Sequence, residues 1–473
     1  MQVEIGKELR ITNPNCRVMD YIKKNLVFTN PEYLANARMH YSNYKTPRKI
    51  TLFRTIQGND VDVIIPYGCL HEIFKLSDID TLYTNILNPN PIHIDYNPHD
   101  LKLRPYQSEA IIALEKKGFG ILHAPAGCGK TQIALGLIFS LQRRTLWITH
   151  THELLVQSKS RALQFIDESL VGTIEGGKVD IGKGITFAVV NTLNNLDLDF
   201  YKDYFDVIIV DECHRVAGNA SRVTMFSHVL NSLGARHKYG LTATPHRADG
   251  LISTTYALIG MIICEIPKEV VSDYIMAVSI VPCETGIELD DSALNNDGTI
   301  NYCKLITFLS QEHTRNALIV DDLIQNSNHF CLILSDRIKH LTTLRNSLPK
   351  KLKDESALIN GTMTSKANKI LRERYIEDIR TGKLHYLFAT YKLAKEGLDI
   401  PRLNRLFMAT PKKDEAIIIQ SIGRIDRKFQ DKTDPIVYDY VDNIPYLKRL
   451  FKARKRFYNK ENCRYIERKD IVL

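Results

Sequence analysis

The sequence predicts an α/β protein in which two tandem lobes, each built on a mostly parallel sheet, follow a small α+β domain. Short apolar strands alternate with helical stretches from residue 99 to 262, and the same alternation recurs from 263 to 473. Residues 1–98 contain no nucleotide motif. Such alternation is typical of parallel sheets with helices on both faces. The three ranges are therefore the predicted domains.

The composition is that of an ordinary globular chain of 473 residues, 44% hydrophobic and 25% charged. No apolar run reaches the ~18 residues that a membrane span needs, and the first ten residues, MQVEIGKELR, lack an apolar signal core. The nine cysteines are scattered without a C-x-x-C pair, which favours reduced thiols over a zinc site or disulfide framework. We therefore expect a cytoplasmic protein without a membrane partner.

The first domain is the least informative of the three. It ends in NILNPNPIHIDYNPHD (85–100), whose three Asn-Pro steps indicate irregular chain. The strands of the next two domains stand out as apolar runs. In the second domain they are GFGILHA, RTLWITH, GITFAVVN, FDVIIVDE and HKYGLTAT. In the third they are HFCLILSD, SALING, LHYLFAT, LNRLFMAT and PIVYDYVD.

A loop that resists both helix and strand follows the first of these runs, in LHAPAGCGKT (122–131). Glycines permit backbone angles closed to other residues, and amides at a helix N-terminus bind anions. The pattern resembles the G-x-x-x-x-G-K-[ST] phosphate loop, in which the lysine reaches the β/γ-phosphates and the hydroxyl ligates magnesium. We expect ATP and Mg²⁺ here, bound by Ala124, Pro125, Ala126, Gly127, Cys128, Gly129, Lys130 and Thr131.

A second motif, FDVIIVDECH (205–214), places two adjacent carboxylates after a buried strand. Ligands of open α/β sheets bind at the carboxyl ends of the strands. Asp211 is the predicted magnesium ligand together with Thr131. Glu212 is the predicted base that orients and deprotonates the attacking water. The alternative, an ordinary polar strand end, does not account for a phosphate loop in the same predicted sheet.

These motifs, in this order, resemble those of superfamily 2 helicases and translocases of the DExH type, over residues 103–427. The resemblance implies two RecA-like lobes with ATP between them. It also implies that RPYQ contributes Arg104 and Gln107 to adenine binding, and that Gly397 and Asp399 of ATYKLAKEGLDIP lie near the nucleotide. The nucleic-acid contacts that it implies are Thr151, Gln157, Gly176, Gly177, Thr192, Ser335, Gly361 and Thr390.

Within that superfamily the likeness is to the XPB/UvsW-like and type III restriction-like branch, as found in phages, viruses and mobile elements. GLTATPHRADG (240–250) carries it, and implies a further nucleic-acid contact at Arg247. Segments of residues 26–70 resemble a domain that precedes the motor in such enzymes and contacts the nucleic acid. A scaffold domain packed on the first lobe is the alternative for residues 1–98.

QSIGRIDR (420–427) holds two arginines three residues apart, after the apolar run EAIII. The spacing predicts that the helix continues through them, so that one turn puts Arg424 and Arg427 on one face. Two arginines aimed at a transferring phosphoryl group neutralise its developing charge. With Lys130 and Glu212 they make an intact hydrolytic set, and we predict that both act in catalysis.

The last thirty residues carry ten Lys or Arg against three Asp or Glu. Apolar residues at helical spacing predict a docked helix, namely Leu447, Leu450, Phe451, Phe457 and Tyr458. The basic residues between them predict an outward positive face that binds a polyanion. A solvated face without a partner is the alternative.

The predicted function is an ATP-dependent helicase or translocase that acts on DNA. An RNA helicase of the same superfamily is the first alternative, since contacts to phosphates do not distinguish the two polymers. A binding module without catalysis is the second. It is disfavoured because the six residues expected to carry the chemistry are all present: Lys130, Thr131, Asp211, Glu212, Arg424 and Arg427.

Overall fold

The N-terminal region folds around a five-stranded, mostly antiparallel sheet. The computed structural model of the chain describes residues 1–44, 46–57, 61–87, 91–125, 127–216, 220–243, 251–271, 274–361, 363, 366–395, 398 and 400–471. The sheet has the order β5-β6-β2-β1-β7, and β3 and β4 form a separate pair. The strands are β1 (Gln2–Ile5), β2 (Glu8–Thr12), β3 (Val27–Thr29), β4 (Lys49–Thr51), β5 (Arg54–Gln57), β6 (Val61–Pro66) and β7 (Leu82–Asn85). The helices are α1 (Cys16–Asn25), α2 (Pro31–Arg38) and α3 (Leu70–Leu76).

The first parallel sheet has eight strands in the order β11-β10-β12-β9-β13-β14-β8-β15. Every pair in it is parallel except the β10–β11 hairpin. Its strands are β8 (Phe119–His123), β9 (Thr145–Thr149), β10 (Val171–Glu175), β11 (Lys178–Asp180), β12 (Ile185–Val189), β13 (Val207–Val210), β14 (His237–Thr242) and β15 (Ile262–Glu265). The helices of this region are α4 (Pro105–Lys117), α5 (Lys130–Leu141), α6 (His152–Ala162), α7 (Val190–Asn194), α8 (Ala220–Ser232), α9 (Ile252–Ile259) and α10 (Lys268–Val271).

The N-terminal sheet packs directly on this lobe. The Tyr67 hydroxyl donates a hydrogen bond to the Arg236 carbonyl at 3.2 Å. Gly68 lies so close to α9 that an added Cβ would stand 2.5 Å from the Ala257 carbonyl oxygen. Lys238, at the start of β14, is buried and donates to the carbonyl oxygens of Lys7 and Leu230. These contacts make the N-terminal domain and the first lobe one packed body.

The second parallel sheet has seven strands, all parallel, in the order β18-β19-β17-β20-β21-β16-β22. Its strands are β16 (Ser279–Glu284), β17 (Cys331–Ser335), β18 (Ser356–Ile359), β19 (Tyr386–Thr390), β20 (Arg405–Met408), β21 (Ile436–Val441) and β22 (Arg464–Tyr465). The helices are α11 (Tyr302–Gln311), α12 (His313–Gln325), α13 (Ile338–Asn346), α14 (Lys350–Asp354), α15 (Lys366–Arg380), α16 (Tyr391–Lys395), α17 (Glu415–Ile422) and α18 (Pro445–Lys460).

The predicted fold class is confirmed, since both halves of the chain are built on parallel sheets. The structure divides into compact units Met1–Val270 and Val271–Leu473. The second predicted domain was bounded at residue 262, whereas β15 begins there and pairs with β8 in the first sheet. The predicted functions of the three ranges stay predictions.

The core of the first lobe is formed by the central strands. All of β9 is buried, including Trp147, which is the single tryptophan of the chain. Its indole packs on the Phe187 ring of β12, with ring centroids 5.6 Å apart. Strand β13 is buried at every position as well. Strands buried on both faces explain why these segments read as unbroken apolar runs.

Candidate active site

The phosphate loop joins β8 to α5, as the sequence predicts. Gly127 and Gly129 have φ angles of 78° and 82°, in the left-handed region that favours glycine. The loop ends at Lys130, the first residue of α5. Its ammonium lies 3.3 Å from the carbonyl oxygens of Ala124 and Pro125, while Thr131 is half-buried on the first turn of the helix. Ala126 lies outside the described residues.

Residues at the start of helix α4 support this loop through hydrogen bonds. Gln107 is buried; its Oε1 accepts the Arg104 backbone N–H and its Nε2 donates to the Cys128 carbonyl, both at 2.9 Å. The Tyr106 hydroxyl donates to the same carbonyl at 2.8 Å, and Arg104 donates to that hydroxyl. The predicted contact of Arg104 and Gln107 with adenine stays a prediction; in the structure Gln107 bonds the loop directly and Arg104 bonds the Tyr106 hydroxyl that does so. Tyr106 was not predicted, although it stands inside the quoted RPYQ motif.

The two carboxylates stand at the carboxyl end of β13. Asp211 accepts hydrogen bonds from the Ser158 hydroxyl at 3.3 Å and from the backbone N–H of Glu212 at 2.9 Å. Glu212 has a φ of 48°, an unusual conformation for a residue other than glycine. Its Oε2 lies 3.2 Å from Nδ1 of His214. The turn after the strand therefore aims the two acids in different directions.

Burial and charge separate the pKa values of these acids. Burial raises the pKa of Asp211 and the adjacent Glu212 charge adds to that increase. Burial acts on Glu212 in the same sense, but the His214 hydrogen bond and the positive charges of His214 and Lys130 outweigh it, so its pKa is lowered. The loop and the carboxylates lie at the same edge of the sheet, because β8 and β13 are the parallel neighbours of β14, and the Lys130 charge acts to lower the pKa of both acids. Glu212 stays ionised, as a base requires.

The carboxyl edge of the same sheet also carries the predicted nucleic-acid contacts of the first lobe. Thr151 caps α6, where Gln157 is half-buried. Gly176 and Gly177 form the exposed turn between β10 and β11. A hydrogen bond of 2.5 Å between His152 and Glu175 brings the start of α6 to that turn. Thr192 lies on α7, directly after β12, and Arg247 falls outside the described part of the chain.

In the second unit the predicted residues also lie at the carboxyl ends of strands. Thr390 ends β19 and Gly361 follows β18 with open space around it. Ser335, at the end of β17, is wholly buried; its hydroxyl is 3.0 Å from His340 Nδ1 and accepts the Arg337 N–H. That hydroxyl is therefore engaged inside the lobe. Gly397 and Asp399 are outside the described residues.

The predicted helix through Arg424 and Arg427 is wrong. Helix α17 ends at Ile422 with Gly423 as its cap, consistent with the low helix propensity of glycine. Arg424 follows in a turn and donates from Nε to the Ala394 carbonyl at 2.9 Å and from Nη1 to the Leu398 carbonyl at 2.8 Å. Arg427 lies in a bridge with Ile275. Both side chains are half-buried, and loop geometry sets their direction.

Two further charged groups surround Arg427. Asp426 is buried and its pKa is raised to about 7, because burial outweighs the nearby positive charges of Arg427 and Lys432. Lys432 donates to the carbonyl oxygens of Pro401 and Arg427 at 2.8 and 2.7 Å. Neither was predicted. Asp426 could have been noticed, since a carboxyl group between two arginines in the sequence indicates a cluster of opposite charges.

Comparison with known families identifies the two lobes. The family model described as type III restriction enzyme, res subunit, matches residues 100–247. The helicase conserved C-terminal domain matches residues 314–428. Together they span more than half of the chain. The chain belongs to the superfamily 2 helicases. It is an ATP-dependent enzyme that acts on nucleic acid as a helicase or translocase.

Relatives of this helicase occur in viruses and in cells. A protein of Acanthamoeba polyphaga mimivirus named as an ATP-dependent RNA helicase, L396, is 27% identical over 76% of this chain and 68% of its own length. Helicase 22, so named in the Sulfolobus islandicus filamentous virus, is 26% identical over 92% of this chain and 81% of its own. The DNA 3'-5' helicase XPB of Kineococcus radiotolerans is 24% identical over 79% of this chain and 65% of its own length.

The fold of this helicase is also similar to solved structures. S. cerevisiae Dbp5 bound to RNA and ADP BeF3 aligns with a TM-score of 0.55 at 14% identity, over 78% of this chain and 95% of Dbp5. A likeness at this identity concerns the fold. Within the described ranges, none of the helices combines the length and apolar character needed to cross a membrane.

Proposed function

We propose that this helicase acts on DNA, with ATP hydrolysed at the carboxyl edge of the first parallel sheet. The observation that supports the site is the convergence of the phosphate loop with Asp211 and Glu212 at one edge of the sheet, where β8 and β13 end on either side of β14. A loop that binds phosphates and a carboxylate that stays ionised are the two parts that hydrolysis of a phosphoanhydride needs.

The residues of this site have distinct roles in the proposal. Lys130 binds the β- and γ-phosphates, and Glu212 accepts a proton from the attacking water. Arg104, Tyr106 and Gln107 keep the loop in its binding conformation. Arg424 and Arg427 of the second unit neutralise the charge that develops on the γ-phosphate.

The donor set fits Mg²⁺. That ion takes oxygen ligands from one or two protein groups and fills its other positions with water and substrate phosphates. Thr131 and Asp211 offer such a pair, and the adjacent carboxylates of Asp211 and Glu212 at the end of β13 place negative charge where a cation would be stabilised. In the described ranges no cluster of three or more His, Cys, Asp or Glu suits a metal, so a site closed by protein groups alone is not formed there. Bound Mg²⁺ would neutralise phosphate charge.

The choice of DNA is supported by the XPB-type relative, which is named as a DNA helicase, and by the XPB/UvsW-like motif pattern. RNA is the second candidate, because a relative of similar identity is named as an RNA helicase. Phosphate contacts serve both polymers, whereas contacts to the 2′-hydroxyl distinguish them.

The test compares ATP hydrolysis with single-stranded DNA, duplex DNA and RNA of equal length, each titrated to saturation. We expect DNA to raise kcat and RNA to leave it near the unstimulated value. Stimulation by RNA alone would overturn the choice of polymer and leave the ATP site intact. Nucleotide binding without hydrolysis under all conditions would instead favour a binding module.

A further inference from the structure

Helix α18 presents one wholly basic face that the catalytic site does not use. It contains seven Lys or Arg and no acidic residue. One of the seven, Arg454, points inward and the other six are exposed. The exposed ones are Lys448, Arg449, Lys452, Lys455, Arg456 and Lys460. The predicted outward face is therefore present in the structure.

The opposite face fixes the helix to the second sheet. Leu447, Leu450 and Tyr458 are buried. Arg454 donates from Nε and Nη2 to the two carboxylate oxygens of Asp439, at 2.8 and 2.9 Å, and Tyr458 donates to the same carboxylate at 2.7 Å. The arginine and the acid are almost fully buried. Such a two-point pair fixes the rotation of the helix about its axis and hence the direction of the basic face.

The exposed charges form a regular stripe. Lys448, Lys452, Arg456 and Lys460 are four residues apart, so successive members lie about 6 Å apart along the axis and the stripe is about 18 Å long. Along the duplex axis one strand advances about 3.4 Å per phosphate, so a stripe of this length spans the rise of about five phosphates of the winding strand. The stripe therefore matches a phosphate backbone in both sign and extent.

The positive charges of the stripe destabilise helix α18. Like charges at i and i+4 repel each other, and cations in the first turn oppose the helix dipole. Polar partners stand at the two ends, where Lys448 donates to Asn443 and Lys460 pairs with Glu415, and the Lys455 ammonium lies over the Phe451 and Tyr465 rings. No carboxylate of the described residues forms an ion pair with Lys452, Lys455 or Arg456. A surface that merely aids solubility would tolerate interspersed acids.

We propose that the exposed face of α18 binds the phosphate backbone of the nucleic acid on which the helicase acts. This rests on the polymer substrate of the proposed function and extends it to a surface outside the shared motifs. An anionic membrane would attract the same charges, but interfacial helices bury their apolar side in the lipid. Here that side is packed inside the protein. Exposed Tyr465, whose ring lies 5.7 Å from the Lys455 ammonium, adds an aromatic surface suited to a base.

The test is the salt dependence of binding by the full chain, with Lys448, Lys452, Lys455 and Arg456 all replaced by Gln. We expect the slope of log K against log[salt] for duplex DNA to shrink by up to about 3.6, at about 0.9 per lost contact. Affinity at 0.1 M salt should fall at least about eight-fold, the loss for one such contact. An unchanged slope overturns the proposal.

A matched control removes four charges at the amino-terminal side of the same sheet. Lys350, Lys351 and Lys353 lie on α14 before β18, and Lys383 precedes β19. Their replacement by Gln should leave the slope unchanged; an equal loss would mean that only net charge matters, which also overturns the proposal. A charge-preserving variant, K448R/K452R/K455R/R456K, should bind as the wild type does.

Three further experiments complete the test. If the fourfold variant unfolds, the K452Q/R456Q variant is measured instead, and its slope of log K against log[salt] is expected to shrink by about 1.8. Each titration is repeated with RNA. A wild-type preference for RNA would contradict the choice of DNA. Variants that keep the wild-type salt slope would contradict the role of the stripe. Binding of the wild type to anionic vesicles that the variant loses, with DNA binding intact, would assign the face to a membrane instead.

Discussion

His214 Nδ1 lies 3.2 Å from Glu212 Oε2, and the same nitrogen lies 3.1 Å from the Thr242 hydroxyl at the end of β14. Ala124, in the phosphate loop, donates its backbone N–H to the carbonyl oxygen of the same threonine, Thr242, at 3.0 Å. One threonine therefore connects the predicted phosphate loop with the histidine that contacts the predicted base. A displacement of β14 would alter both.

Glu212→Gln should still bind ATP but lose most of its turnover, because the amide cannot accept the proton. The loss expected for removal of a general base is about 10²–10⁴-fold in kcat. Lys130→Ala should abolish hydrolysis and also weaken nucleotide binding. Single-turnover hydrolysis and binding of a fluorescent nucleotide separate the two effects. Wild-type turnover by Glu212→Gln would remove Glu212 from the role of base.

His214→Ala should move the acid limb of the kcat–pH profile to higher pH. In the wild type His214 keeps the pKa of Glu212 below its ordinary value, so the base is ionised even in mild acid. Without the hydrogen bond and the charge, burial dominates, the pKa rises and the base is protonated at a higher pH. His313→Ala, at an exposed position at the start of α12, is the control. An unmoved limb would mean that Glu212 does not govern it.

Arg427→Ala should lower kcat by about 10³–10⁵-fold, the range known for arginine fingers, and leave nucleotide affinity nearly unchanged. Arg424→Ala should lose stability as well, because its guanidinium bonds two backbone carbonyls of the lobe. Steady-state kinetics combined with thermal unfolding distinguish the two variants. Loss of affinity with kcat retained would assign Arg427 to ground-state binding.

Lys238→Met should flatten the pH dependence of stability in the alkaline range. Burial lowers the pKa of Lys238 from 10.5 to about 7. Between these values the unfolded chain holds a proton that the folded chain has released, so stability rises with pH by up to about 1.4 kcal/mol per unit. The variant should lose that slope and be stabilised most below pH 7.

Chemical denaturation between pH 7 and 10 measures the Lys238 effect. Lys7→Met, an exposed lysine at the same junction, should keep the wild-type slope. If Lys238→Met retained that slope too, Lys238 would be charged in the folded protein and stabilised by the Tyr67 ring, 5.1 Å away.

Much of the fold follows from the sequence because its central strands are buried on both faces. Val207–Val210 and Cys331–Ser335 could be recognised as apolar runs without knowledge of their neighbours. Less regular strands were missed. Ser279–Glu284 contains Pro282, a residue that argues against a strand inside a sheet, and Val171–Glu175 contains a glycine. Arg464–Tyr465 has only two residues and forms through pairing with β16.

The candidate site was predictable where a motif fixes backbone geometry and less so where tertiary contacts decide. The left-handed glycines of the phosphate loop follow from local chemistry. By contrast, a basic run does not indicate which arginine turns inward, and the burial of Arg454 depends on Asp439 from another element. The burial of Ser335 likewise depends on His340 in α13. Such pairings are set by packing that the sequence pattern does not contain.

The position of Trp147 gives the first compact unit an optical signature of its own. The indole is wholly buried in the first unit, and the second unit contains no tryptophan. Emission excited selectively at long wavelength therefore follows the melting of residues 1–270 alone, while far-ultraviolet circular dichroism follows both units. Since multidomain chains need not unfold in one step, a difference between the two melting curves would give the stability of each half without any label.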